Sequence, residues 1–480
     1  MATKRTKKPP PRGGASGTKT VSAWEDDPAT KVRITRPVPA LSKKPLAFTF
    51  PSPAPTPGMY QPGTAEFRYW TAAEALRRGA DFWAARVPLS NWEVGPALKV
   101  ILDEGMDLNA YYDRKALNFF HGPMPSGTAY SGESPDIVCH EMGHAVLDSF
   151  KPQLWGAASH EAAAFHEAFA DISAILSALQ LPSLRTAILS DTGGHFYRNS
   201  RLSRLAEQLG AAIRAQQPDA VDSDCLRNAV NSFTYQDPTD LPPMAPATQL
   251  SSEPHSFSRV FTGAAYEALG AMLSATAAEP TSPTEKELAS VANDLGGILV
   301  AGVKAAPVVS NWYSQVAAAM VQAAAAVGQA YVPVLKGVFV RRSILSLHSA
   351  STVATAVPKS LAALAPDSRA KPEPLARTML SGSQYGLDKP LIVEAASQSR
   401  QFLAMAAAGD AGPIEPLNAV SAARSFVDDL FRRGRVDYAD VGRPEARIEH
   451  GRRLRSHQLV EETDGIRLER RLFDCGLCHH

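Results

Sequence analysis

The sequence predicts an α+β fold in which a mixed region of helices and strands is followed by a mainly helical region. Residues 64–86 carry aromatic residues and leucines at helical spacing, which indicates a helix. Residues 97–120 indicate strands, and from residue 251 the chain is alanine-rich and helical as far as Arg341. At 480 residues the chain is long enough for two or three domains with cores of their own.

Changes in composition divide the chain into four predicted regions. Residues 1–45 are predicted to be a disordered basic tail, because Lys, Arg, Pro and Gly dominate their beginning. We expect an α+β domain over residues 46–250 and a helical domain over residues 251–365, with a cleft between them. Residues 391–480 are expected to form a helical segment followed by a β-hairpin.

The C-terminal region carries weaker signals. Residues 369–390 are predicted to be a loop, and residues 398–433 a return to helix. The hairpin is indicated by Asp464-Gly465 between two strand-like segments, residues 457–463 and 466–473.

The residues most informative about function are His140 and His144, in the sequence His140-Glu141-Met142-Gly143-His144. Apolar residues at helical spacing surround them, and positions i and i+4 of a helix share a face, so both imidazoles can reach one metal ion. Glu141 projects beside that ion, where it can take a proton from a bound water. The same five residues also arise by chance on ordinary helices, so the downstream sequence must decide.

A second segment offers a third ligand. A catalytic zinc takes three protein ligands and keeps a fourth position for water. Small and apolar residues over 160–171 indicate a second buried helix, on which Glu167 and Asp171 share a face. Glu167 can complete the ligand set, and Asp171 can accept the second ring N–H of a ligand histidine. His160 and His166 are rival ligands, although a place behind the ligands or at the surface is favoured for each.

The two segments resemble the thermolysin-like zinc metallopeptidases of the gluzincin group. In that family H-E-x-x-H is followed by a helix with the pattern E-x-x-x-x-x-E-x-x-x-D, which Glu161, Glu167 and Asp171 match without a gap. The resemblance implies a thermolysin-like catalytic domain with a cleft against the helical domain. It implies a zinc site whose ligands are His140, His144 and Glu167.

The resemblance also implies roles for neighbouring residues. Glu141 corresponds to the general base, and Asp171 to the partner of the ligand His140. Over about residues 60–275, further motifs follow in the family's order.

Three of these further motifs carry substrate-binding or catalytic roles in the family. Asn109-Ala110-Tyr111-Tyr112 is similar to the edge strand whose Asn and Ala hold the substrate backbone. Arg227 resembles the arginine that binds a substrate carbonyl. His255 resembles the catalytic histidine.

The chain departs from the family at several positions. Trp155 lies near the place of a tyrosine that stabilises the oxyanion, so its indole N–H is a candidate oxyanion donor. The aspartate that precedes the family's catalytic histidine is missing, and Glu253 lies nearby. Of the calcium-binding acids only Asp136 remains, so calcium is not expected to be required.

The predicted function is therefore a zinc-dependent metalloendopeptidase, with a peptide or protein as its substrate. Zinc would activate a water, and Glu141 would act as its base. The departures leave an alternative open, namely a zinc-binding but inactive scaffold or binding protein. A structural helical protein with a chance motif is a third reading, which the order of the motifs disfavours.

Composition limits the partners and the location. A net charge of +1 gives no argument for nucleic acid as a partner. Residues 316–331 are apolar but interrupted by Gln322 and Gln329, so they indicate a buried helix, and no transmembrane segment is expected. No apolar stretch follows the basic N-terminal residues, which predicts a cytoplasmic location or export by a non-classical route.

The four cysteines are too few and too scattered for a disulfide framework. Two of them form Cys475-x-x-Cys478, followed by His479 and His480 at the end of the sequence. A second metal site or a redox role is open for this cluster, but it lacks a partner pair. An ordinary tail is the favoured interpretation.

Overall fold

A computed structural model describes residues 19–87, 89–353, 374–397, 418–438, 441 and 455–476. Over these residues the protein combines long helices with several small sheets, which is compatible with the α+β class. The helices, in chain order, are α1 (Ala65–Ala84), α2 (Pro135–Phe150), α3 (Gln153–Gly156), α4 (His160–Ala178), α5 (Pro182–Thr192), α6 (Glu207–Arg214), α7 (Pro254–Thr276), α8 (Glu285–Ala305), α9 (Trp312–Val327), α10 (Tyr331–Arg341), α11 (Leu347–Thr352) and α12 (Ala419–Arg432).

The strands are short. In chain order they are β1 (Thr20–Trp24), β2 (Arg33–Pro37), β3 (Ala47–Thr49), β4 (Ala97–Ile101), β5 (Ala110–Tyr112), β6 (Ala116–Phe119), β7 (His121–Met124), β8 (Gly127–Tyr130), β9 (Arg204–Leu205), β10 (Arg227–Asn228), β11 (Ala376–Leu380), β12 (Leu391–Ala395), β13 (Val436–Asp437), β14 (His457–Glu461), β15 (Ile466–Arg470) and β16 (Phe473–Asp474). Two five-stranded sheets have the orders β16-β5-β6-β4-β3 and β11-β12-β15-β14-β13, and three strand pairs complete the set.

Helices α2 and α4, both predicted from the sequence, are confirmed and lie directly against each other. Each is preceded by a capping serine whose side chain accepts a backbone N–H of the first turn, Ser134 for α2 and Ser159 for α4. At their contact, a Cβ added to Gly143 would lie 2.7 Å from Ser173 Cβ and 2.8 Å from Ala170 Cα. Only glycine fits there, so the two helices approach more closely than larger residues would allow.

The sheet that contains β5 links distant parts of the sequence. Strand β5 pairs antiparallel with β6 on one side and antiparallel with β16, near the C-terminus, on the other. Without β16, β5 would be the edge of this sheet. The C-terminal strand therefore covers the edge that carries the Asn109-Ala110 motif.

Two large hydrophobic cores organise the described residues, and a third, small cluster joins Val21 to Tyr69, Trp70 and Ala73 of α1. The larger runs from Leu46 to Val353, so residues on both sides of the predicted boundary at residue 250 share it, and it includes Phe473 and Cys475. The smaller is built mainly by α12 and the C-terminal five-stranded sheet.

The prediction of a disordered tail as far as residue 45 is wrong for residues 19–45. Strands β1 and β2 pair there, and Val21 is fully buried. Trp24 packs edge-to-face on Phe67 of α1, with ring centroids 5.3 Å apart. The basic, Pro- and Gly-rich beginning of the segment obscured these apolar residues, which become buried only because α1 provides a surface for them.

The C-terminal region agrees with the sequence in part. The hairpin is confirmed as β14 and β15, which pair antiparallel around Asp464-Gly465. The predicted loop over residues 369–390 is wrong where β11 lies, because β12 offers this segment an antiparallel partner. Of the helix predicted over residues 398–433, α12 is present, and residues 398–417 lie outside the described residues.

Among the described residues, α8 is long and apolar enough to cross a membrane, judged by length and composition, and 61% of its apolar window is buried inside the protein. The pair α4 and α5 passes the same test only if it is taken as one span, and it bends by 101°. Helix α8 packs against α7 and α9, as a core helix does.

A group of buried carboxyl groups lies at the start of α2. Asp136 Oδ2 accepts the backbone N–H of Ala206 at 3.0 Å, and Asp27 Oδ2 accepts the Ser134 hydroxyl at 2.7 Å. Burial raises the pKa of Asp26 to about 7 and that of Asp27 to about 6, and for Asp26 the neighbouring Asp27 charge adds to the effect. Burial, with the charges of Asp26 and Asp27, also raises the pKa of Asp136.

We predict that these groups make the protein less stable as the pH rises. The native state binds more protons than the unfolded chain, so the contribution of Asp26 is present below about pH 4 and is lost as the pH rises through about 7. Asp26→Asn should therefore raise the free energy of unfolding at pH 8 by about 1 to 3 kcal/mol and change it little at pH 4. Denaturant titrations in EDTA measure this.

The control for this experiment is Asp191→Asn, at a carboxylate whose side chain is 48% exposed. Its effect should stay within about 0.5 kcal/mol at both pH values. A loss of stability in Asp26→Asn at pH 8 would contradict the account of this cluster.

Candidate metal centre

Three ligand-type atoms converge where α2 contacts α4. Glu167 Oε2 on α4 lies 3.3 Å from His140 Nε2 and 3.6 Å from His144 Nε2, both on α2. The ligand atoms of all three residues lie within 4.8 Å of one another, and all three side chains are buried. Their arrangement follows from the one-turn spacing of the two histidines and the close approach of the helices at Gly143.

The chemistry of these three atoms fits a metal cation. Within the described residues, none of His140 Nε2, His144 Nε2 and Glu167 Oε2 has a hydrogen-bond partner, although buried polar atoms are normally paired. Burial, with the charges of His140 and His166, lowers the pKa of His144 well below its usual value, so its imidazole is neutral. Two imidazoles and a carboxylate are the donor set of many catalytic zinc sites.

His140 is oriented by a buried ion pair. Asp171 Oδ1 lies 2.9 Å from His140 Nδ1, and Arg227 Nη2 donates to the same oxygen at 2.8 Å. Burial alone would raise the pKa of Asp171, but the Arg227 charge and the hydrogen bond with His140 outweigh it and hold that pKa well below its usual range. The charged Asp171 carboxylate therefore holds the Nδ1 side of the ring, and the ring presents Nε2 toward Glu167.

His144 is held by another histidine. Its Nδ1 lies 3.0 Å from Nδ1 of His166, so His166 contacts the ring nitrogen of His144 that faces away from Glu167. Burial lowers the pKa of His166 well below its usual value. Of the two rival ligands, His166 thus lies behind the ligand set, and His160 lies elsewhere, with Nε2 3.6 Å from Asp429 Oδ2.

The carboxyl group of Glu141 lies beside this centre. Glu141 is fully buried, and neither of its oxygens has a hydrogen-bond partner among the described residues. Burial raises its pKa well above the usual value, and the charges of Glu167 and Asp474 add to the shift. A carboxylate in these surroundings takes up a proton readily.

His255 approaches the centre from the start of α7. Its Nε2 lies 3.4 Å from Glu167 Oε2, and its Nδ1 lies 2.8 Å from Glu253 Oε1. Glu253 also caps α7 by accepting the backbone N–H of Ser256 at 2.9 Å. The carboxylate that orients His255 is therefore Glu253, whose position the sequence left open.

Trp155 does not direct its N–H toward the centre. Its Nε1 donates to the backbone oxygen of Arg470 at 3.3 Å, and its ring packs against Phe473 with centroids 5.3 Å apart. The candidate oxyanion donor thus belongs to the contact between α3 and the C-terminal hairpin. The sequence did not predict this contact, because Trp155 and the hairpin are far apart along the chain.

The three residues predicted to bind substrate all contact Cys475 or Gly476 of the protein itself. Asn109 Oδ1 accepts the backbone N–H of Gly476 at 2.7 Å, and the Ala110 oxygen accepts that of Cys475 at 2.9 Å. Arg227 Nη2 lies 3.8 Å from Cys475 Sγ. Residues 473–476, which the sequence assigned to the hairpin and an ordinary tail, are thus part of this site.

Sequence reasoning missed residues 473–476 because no local signal marks them. In the sequence, Cys475 is marked only by its spacing to Cys478, which lies outside the described residues. What places Cys475 at the centre is strand pairing with residues more than 300 positions earlier. A comparison with protein-family models finds no match for this chain, and a comparison with curated proteins finds none either.

We predict that Asp171→Asn destabilises the protein by about 3 to 5 kcal/mol, because it leaves the buried Arg227 charge without its partner. Chemical denaturation of the metal-free protein measures this loss without any contribution from a bound metal. Asp191→Asn again serves as the exposed control. A change below about 1 kcal/mol in Asp171→Asn would contradict the role assigned to the ion pair.

Proposed function

We propose that this protein is a zinc-dependent metalloendopeptidase with a thermolysin-like catalytic arrangement. The observation that carries the proposal is the convergence of three buried atoms without hydrogen-bond partners, on His140, His144 and Glu167. The carboxyl group of Glu141 beside them supports hydrolysis rather than metal storage alone, because a storage or structural site has no need of a buried base.

Each residue around the centre has a role that its position supports. When bound, zinc polarises a substrate carbonyl and lowers the pKa of a bound water toward neutrality. Glu141 takes the proton of the attacking water and passes it to the leaving nitrogen. His255, held by Glu253, donates a hydrogen bond to the oxygen that gains negative charge. Asn109 and Ala110 hold the backbone of the peptide.

A second candidate is a zinc-binding protein that does not hydrolyse peptides. Two observations favour it: the N–H of Trp155 is engaged by Arg470, and residues 474–476 lie where a peptide would bind. In that case Glu141 would have no substrate to act on. The two candidates make the same prediction for zinc binding and opposite ones for hydrolysis.

The deciding experiment compares the zinc-loaded wild type with Glu141→Gln. Glutamine keeps the size of the side chain but cannot accept the proton, so we expect zinc binding to persist and kcat/KM on a peptide library to fall by at least about 10²- to 10⁴-fold. Zinc content is measured on the same samples. Equal hydrolysis by both proteins would contradict the mechanism. Absence of hydrolysis both in the zinc-loaded wild type and in Cys475→Pro, which removes the N–H that occupies the Ala110 oxygen, would favour the inactive binding protein.

We predict a distinct effect for His255→Ala. Loss of an oxyanion donor should lower kcat by about 10²- to 10³-fold while zinc content stays unchanged. Trp155→Phe should lower kcat by less than about tenfold, because the lost N–H donates to Arg470 rather than into the centre. A larger effect for Trp155→Phe than for His255→Ala, at equal zinc content and equal stability, would reverse the assignment.

A further inference from the structure

The C-terminal residues lie along β5 as a bound peptide would. Phe473 pairs with Tyr112 and Asp474 with Tyr111 in antiparallel register. The next two backbone N–H groups continue the pairing, from Cys475 to the Ala110 oxygen and from Gly476 to Asn109 Oδ1. Addition of an extended segment to a sheet edge is a common way for proteins to bind peptides.

The peptide bond between Asp474 and Cys475 lies at the centre itself. The carbonyl oxygen of Asp474 lies 2.5 Å from His255 Nε2, the proposed oxyanion donor. On the other side of this bond, Cys475 Sγ lies within 4.8 Å of ligand-type atoms of His140 and Glu141. The carbonyl oxygen of the Asp474–Cys475 peptide bond thus faces the proposed oxyanion donor, His255. The residue that supplies the nitrogen of this bond, Cys475, lies near the proposed base, Glu141.

Side chains anchor this segment on both sides of the bond. The Phe473 ring stacks on His166 and on His144, with centroids 4.0 and 5.0 Å away. The Asp474 carboxylate pairs with Arg435 at 2.5 Å. Phe473, Asp474 and Cys475 are each at most 4% exposed, so the segment fills the cleft rather than resting at its mouth.

We propose that the protein hydrolyses its own Asp474–Cys475 peptide bond, an inference that rests on the proposed function. Water oxygen forms a bond with the carbonyl carbon of Asp474, and the bond from that carbon to the Cys475 nitrogen breaks. The proton taken by Glu141 goes to that nitrogen. One product is the chain that now ends in the main-chain carboxylate of Asp474. The other is the peptide 475–480, which now begins with the free amino group of Cys475. Their departure leaves Asn109 and Ala110 open to other peptides.

A role for Cys475 as a metal ligand fits the geometry less well. The group of mutually close atoms that contains Cys475 Sγ also contains His140 and Glu141. The group formed by His140, His144 and Glu167 does not contain Cys475. Cys475 is therefore assigned by its backbone, as the residue after the cleaved bond, and its thiol is not required.

The first test asks whether the segment occupies the cleft, and it needs neither metal nor activity. In metal-free Glu141→Gln protein, alkylation of each cysteine by iodoacetamide is followed by mass spectrometry. Cys475 should react at least about tenfold more slowly than in the denatured chain, as the buried Cys225 does. Reaction of Cys475 at the denatured rate, with Cys225 still protected, would overturn the proposal.

The second test follows the mass of the full-length chain after zinc is added. The wild type should lose residues 475–480 at a rate independent of protein concentration, and Glu141→Gln should stay intact. Cys475→Pro removes the N–H that donates to Ala110, so it should also stay intact. Cys475→Ser keeps that N–H and lacks the thiol, so it should be cut like the wild type.

The outcomes separate this inference from the proposed function. If the wild type stays full-length while Cys475→Pro hydrolyses added peptides, self-cleavage is excluded and the segment is a resident inhibitor of an active peptidase. If cleavage occurs equally in Glu141→Gln, another protease is responsible and the inference fails. If no variant cuts itself or an added peptide, the proposed function fails with it.

Discussion

The close contact of α2 with α4 is the constraint on which the site depends. Gly143 leaves no room for a side chain against Ser173 and Ala170, so the two helices approach closely enough for Glu167 to lie between His140 and His144. A larger residue at position 143 would push the two helices apart, and the three candidate ligand atoms would then move apart as well. The glycine inside the histidine motif therefore has a geometric reason, separate from the chemistry of its neighbours.

Charge balance explains several of the residues that lie behind the candidate ligands. Burying Glu141, Glu167 and Asp171 together is costly unless positive charge compensates them. Arg227 compensates the charge of Asp171 directly. Glu141 and Glu167 each belong to a group of ligand-type atoms that could hold a cation. The residues behind the candidate ligands also orient the two histidines, since Asp171 contacts His140 and His166 contacts His144. The same side chains thus stabilise the contact of the two helices and orient the candidate ligands.

The sequence was informative where the signal is local. The helices that carry His140, His144 and Glu167 followed from their spacing, and the hairpin from Asp464-Gly465. The ordered strands before residue 45 and the strand inside the predicted loop were missed, because each is formed by pairing or packing with another part of the chain. The C-terminal segment in the cleft was missed for the same reason. Periodicity and spacing contain no information about contacts between Asn109 and Gly476.

The central claim is that His140, His144 and Glu167 form one zinc site, and zinc stoichiometry tests it most directly. We expect one tightly bound zinc per wild-type chain by elemental analysis after dialysis. His144→Ala should lose it, and His160→Ala should keep it, because His160 lies beside Asp429 rather than in the ligand set. Wild-type protein without bound zinc, or unchanged zinc content in His144→Ala, would contradict the claim.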